Sequence, residues 1–92
     1  MSTTTVYEVI TNTETYYTPS QKIAALLTFG KECLQTFLVK IKTEKPIDWE
    51  KKECMTWKEL TENNHAELLT GCSADNNVTI ELISLAEIYI FE

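Results

Sequence analysis

Ninety-two residues, 43% of them apolar, can enclose a single hydrophobic core, because a chain this short buries only about 60% of its unfolded surface; one domain over residues 1–92 is expected. Fourteen Asp and Glu against eight basic residues leave a formal charge of −6, a field that repels nucleic acid and attracts basic protein surfaces. Every basic residue is Lys, and without the planar guanidinium fork that reads guanine and clamps phosphate the composition argues against sequence-specific DNA recognition.

Residues 3–11 mix β-branched and aromatic side chains, with Val6, Glu8 and Ile10 facing opposite to Tyr7 and Val9. They predict a strand, which a hairpin through Asn12 and Thr13 could continue to Tyr17. At Thr18-Pro19-Ser20-Gln21 a capping hydroxyl, a first-position Pro and a Gln completing a capping box coincide. They predict a helix from Pro19 to about Cys33, with Ile23, Leu26, Leu27 and Gly30 on one face and Gly30 as a left-handed stop.

Residues 35–44 alternate again, with Phe37, Val39 and Ile41 on one side and Leu38, Lys40 and Lys42 on the other, until Pro46 ends a second strand. Residues 46–55 are charged around Trp49, follow no period and read as a surface connection. A second capping box, Thr56-Trp57-Lys58-Glu59, opens a helix predicted over residues 57–70, with Trp57, Leu60, Asn64 and Leu68 on one face and Gly71 as the stop. Past a turn at Asp75-Asn76-Asn77, residues 78–91 run almost continuously apolar and read as a central strand, bent near residues 84–87. The expected fold is α+β: a β-α-β-α-β chain with one sheet packed against two helices.

No stretch reaches the roughly 20 apolar residues that span a bilayer, and the first residues lack the basic start and apolar run of a secretion leader. A soluble intracellular protein is the expectation. Cys33, Cys54 and Cys72 are odd in number and far apart, unlike a disulfide framework, and read as packed thiols. With His65 they could supply four zinc ligands, but compact zinc sites use close sequence pairs and these residues are scattered.

One His, two Asp and no Gly-rich turn around a Ser leave little from which to build a hydrolytic triad or an acid-base pair, so neither catalysis nor a cofactor is expected. The only local reversal of the acidic field is Lys40, Lys42, Lys45, Lys51 and Lys52, with Trp49 among them and Glu44, Asp48, Glu50 and Glu53 interleaved. These ten residues are the candidate partner-binding set; the plain alternative is a solvated surface of alternating charge. With Glu59, Glu62 and Glu67, the same acidic residues could also present a negative face resembling a nucleic-acid backbone, or serve only as solubilising charge.

From its opening Met1-Ser2-Thr3-Thr4-Thr5-Val6-Tyr7-Glu8-Val9, through Tyr16-Tyr17-Thr18-Pro19-Ser20-Gln21, to its closing Ala86-Glu87-Ile88-Tyr89-Ile90-Phe91-Glu92, the chain resembles phage-encoded anti-CRISPR proteins that inhibit type I-F systems. The likeness runs the full length, although that group shares no common motif from which residue positions transfer. It implies a stoichiometric inhibitor in the cytoplasm of an infected bacterium that occupies the crRNA-guided surveillance complex and prevents target DNA recognition. Its partners would be Cas protein subunits, with the crRNA within reach of the lysines, and neither a membrane nor a small-molecule substrate. Two other readings are a small nucleic-acid-binding module using the Lys40–Lys52 cluster, and a non-catalytic oligomerisation domain adding strands through its apolar terminal segment.

Overall fold

A computed structural model describes residues 2–30, 33–69 and 77–91. They form β1 (Ser2–Thr11), β2 (Thr15–Thr18), α1 (Gln21–Gly30), β3 (Cys33–Thr43), β4 (Met55–Thr56), α2 (Trp57–Asn64), β5 (Glu67–Leu68) and α3 (Asn77–Phe91). The strands make one antiparallel five-stranded sheet in the order β4-β2-β1-β3-β5, so the fold is α+β as expected.

β1 forms where β-branched and aromatic residues alternate, and the predicted hairpin follows: Tyr7 to Ile10 pair with Thr18 to Thr15. Thr11 closes the turn, its backbone amide and hydroxyl donating to the Glu14 carbonyl at 3.0 and 2.6 Å. On the other side β1 pairs with β3 along its length, Val6 opposite Val39, with a register shift after Ile10. The outermost strands, β4 and β5, are only two residues long and cover only part of their neighbours, β4 pairing Tyr16 and Tyr17 and β5 pairing Ile41 and Lys42.

The alternation of β1 sends apolar side chains to both faces, and both faces are covered. On one, Val6, Tyr17, Val39 and Ile41 pack with Leu60 of α2 and Ala66, joined by Ile47, Trp49, Met55 and Trp57. On the other, Val9 packs with Ala24 and Ala25 of α1 and Leu82 and Ala86 of α3. The expected single packed face is therefore corrected to three layers, α1 and α3 over one side of the sheet and α2 with the segment before it over the other.

The largest correction concerns the last element. Residues 78–91, expected as a strand, lie within a 15-residue helix. Val78, Leu82, Leu85, Ala86 and Tyr89, spaced by four, three, one and three, turn inward together at the helical period. Exposed Ile80, Ile83, Ile88 and Ile90 make the helix apolar on its outer side as well, which hid that period behind a continuous β-branched run. Thr79 fastens α3 to β3, accepting from the Thr36 amide at 3.0 Å and donating to its carbonyl at 3.3 Å.

The first helix is shorter than predicted and capped elsewhere. Ser20, not Thr18, accepts from the Ile23 amide at 3.3 Å, while Thr18 accepts from the Ser20 amide at 3.1 Å. Its buried stripe is Ala24, Ala25 and Thr28 rather than the face of Leu26 and Gly30, since small side chains let α1 approach the sheet and α3 closely. Thr28 donates to the Ala24 carbonyl at 2.7 Å and lies 2.9 Å from the Thr36 hydroxyl, which ties α1 to β3. Cys33, expected at the helix end, begins β3 instead.

The second capping box is present as predicted: the Glu59 amide donates to Thr56 Oγ1 and the Thr56 amide to Glu59 Oε1, both at 3.3 Å. The helix ends early, at Asn64. His65 takes a left-handed conformation (φ 51°), and the Ala66 amide returns to the Leu60 carbonyl at 3.3 Å. Leu68, expected on the helix face, belongs to β5; Gly71, Cys72 and residues 75–76 of the expected turn lie outside the described residues.

Candidate functional site

The sheet partitions the ten candidate residues. Val39 and Ile41 point into the cluster beneath α2, so the strand's alternation sends Lys40 and Lys42 to the opposite face, the one that α1 and α3 cover only in part. Among the described residues nothing covers that face beyond those helices: Lys40 stands opposite Thr5 and Lys42 opposite Thr3, with Glu67 of β5 on the far side of Lys42. Lys40, Thr3 and Thr5 are exposed and Lys42 half-buried. Two lysines thus rise from one strand on the same face, their backbone positions about 7 Å apart, two residues of extended chain.

Glu44 and Lys45 sit where β3 leaves the sheet. The Glu44 amide donates to the Asn64 carbonyl at 3.4 Å, joining the end of β3 to the end of α2, and buried Thr43 holds the turn by donating to the Lys45 carbonyl at 2.6 Å. Two clefts open here. One, about 280 Å³, is lined by Lys42, Thr43, Glu44, His65 and Glu67; the other, about 180 Å³, by Glu44, Lys45, Asn63, Asn64 and His65. Both fall below the roughly 300–1,000 Å³ of small-molecule sites, and their lining is mostly polar and charged.

The rest of the set lies across the sheet. Residues 46–54 form neither helix nor strand, in keeping with the expected surface connection, but Ile47 and Trp49 turn inward as a lid on the Val6–Ile41 cluster. Asp48 shapes the turn, its Oδ1 accepting from the Glu50 and Lys51 amides at 3.2 and 3.3 Å. Lys52 forms an ion pair with Glu59. Trp49 and Lys51 to Glu53 therefore do not share a face with Lys40 and Lys42. Next to them the Cys54 thiol is pushed up by burial, partly opposed by Lys52.

One polar feature escaped the candidate set. Tyr17 donates its phenol proton to Glu8 Oε2 inside the cluster beneath α2, and the Tyr17 ring lies 5.3 Å from that of Trp57. Burial, then the bond to Glu8, drives the phenol well above its ordinary range. The signal was present in the sequence, since Glu8 alternates in phase with inward-facing Val6.

Among the described residues no helix is long and apolar enough to cross a membrane. No protein-family model, curated protein or solved structure matches this chain.

Proposed function

We propose that this chain is a stoichiometric, non-catalytic inhibitor of the anti-CRISPR type, which binds the type I-F crRNA-guided surveillance complex and blocks its recognition of target DNA. The observation that carries the reading is the part of the sheet that no described residue covers, where Lys40 and Lys42 stand together on a molecule of formal charge −6. The overall field steers the domain toward a Lys- and Arg-rich channel, while the paired lysines offer two positive charges to the phosphates of the guide held within it. The full-length resemblance to type I-F inhibitors supplies the name of the target.

The lysines alone make a weak nucleic-acid module, because Lys51 and Lys52 lie across the sheet and Lys52 is engaged by Glu59. The oligomerisation reading loses its device, since the terminal segment is a helix and offers no strand.

The test is capture of labelled target DNA by purified type I-F surveillance complex at fixed salt. The protein abolishes capture near one-to-one stoichiometry, and the folded Lys40→Glu/Lys42→Glu variant requires at least tenfold more protein. Equal inhibition by that variant removes the lysines from the interface. No inhibition by the wild type at large excess, with a shift of naked RNA or DNA in a gel, replaces this reading with the nucleic-acid module.

A further inference from the structure

One flank of the exposed side of α3 is an apolar stripe containing a carboxylate. Ile80, Ile83 and Ile90 are 61%, 39% and 44% exposed, and with Glu87 they fall at positions i, i+3, i+10 and i+7 of one helix flank. That is the spacing by which one helix seats against another, yet within this chain α3 uses its opposite side, Leu82 and Ala86, to pack on α1 and the sheet. Three partly exposed isoleucines along one helix flank of a small domain mark an interaction surface, while Ile88, 54% exposed, lies on a different flank.

The charges decide what covers it. Asn77–Phe91 contains Glu81 and Glu87 and no Lys or Arg. A second copy packed through the same stripe would bring isoleucine and carboxylate against isoleucine and carboxylate, setting Glu87 near its like with no Lys or Arg on either α3 to pair with it. A partner offering an apolar ridge with a Lys or Arg at its centre satisfies both parts of the stripe.

We infer that this flank of α3 docks on such a basic, amphipathic ridge of a protein subunit of the surveillance complex, an assignment that rests on the function proposed above. The sheet face with its lysines and the α3 stripe then engage different components, the first the guide and the second a Cas protein.

Two variants test it in the DNA-capture assay, Ile80→Ser/Ile83→Ser and Glu87→Lys, each first shown to melt within a few degrees of the wild type. Both are expected to raise the concentration for half-inhibition at least tenfold. Inhibition by both at the wild-type concentration overturns the docking face and leaves the inhibitor reading intact. A wild type that neither binds nor inhibits the complex overturns the inhibitor reading and this assignment with it. A wild-type dimer in sedimentation that Ile80→Ser/Ile83→Ser converts to monomer overturns it in favour of a second copy.

Discussion

Glu8 is a carboxylate placed among apolar side chains, and Tyr17 is what makes that position tenable. The phenol lies directly across the hairpin from Glu8 and donates to it, so two polar groups satisfy each other inside the cluster beneath α2. Replacing Tyr17 with Phe keeps the ring and removes the donor, and a buried acceptor left short of its partner costs about 1–3 kcal/mol. Urea unfolding at neutral pH is expected to show that loss; an unchanged midpoint would mean that water already satisfies Glu8. The pH dependence has a definite sign. The folded state holds the Tyr17 proton more tightly than the unfolded chain does, first through burial and then through Glu8. This contribution is complete below the ordinary phenol pKa of about 10 and is lost as pH rises above it, because the unfolded phenol ionises first. Wild-type stability should therefore fall more steeply above about pH 10 than that of Tyr17→Phe.

α3 shows where sequence pattern and structure part. Ser84 lies exposed in its middle, so substitution there reads the local backbone preference rather than packing. In a helix Ser84→Ala should stabilise by roughly 0.5 kcal/mol, whereas in a strand the same change should destabilise, so thermal unfolding of this variant reports the element by sign. β1, its hairpin, β3 and the Thr56 capping box were legible because each rests on short-range signals: alternation, a turn hydroxyl, a reciprocal cap. α3 was not, because its inner and outer sides are both apolar, and length favours a helix where periodicity says nothing. The early end of α2 was hidden for another reason: His65 supplies the left-handed stop that the sequence reading assigned to Gly71. The candidate site was legible in composition only. Proximity along the chain joined Lys42 to Trp49, while strand alternation separates them by the thickness of the sheet, and a face is fixed only once each neighbour's packing is known.

At the scale of the whole molecule, two apolar clusters share one sheet, and neither is large. Val6 and Val9, both fully buried, anchor opposite clusters from the same strand, so loosening either side loosens the backbone on which the other is built. A chain of this size is stable by only about 5–15 kcal/mol, and removing a buried Leu side chain costs about 2–5 of that. Leu60 and Leu82, both fully buried, are equivalent levers, one beneath α2 and one beneath α3. Both tryptophans, Trp49 and Trp57, pack on the Leu60 side, so their fluorescence watches one face while far-UV circular dichroism watches all the helices and strands. If the sheet couples the faces, Leu82→Ala must lower the fluorescence midpoint as far as the dichroism midpoint, although it touches neither tryptophan, and Leu60→Ala must do the same. A Leu82→Ala variant whose dichroism transition moves while its fluorescence transition stays in place would show that the layers unfold separately. In that case α1 and α3 would peel from the sheet on their own, and the face that carries Lys40 and Lys42 would extend beneath them.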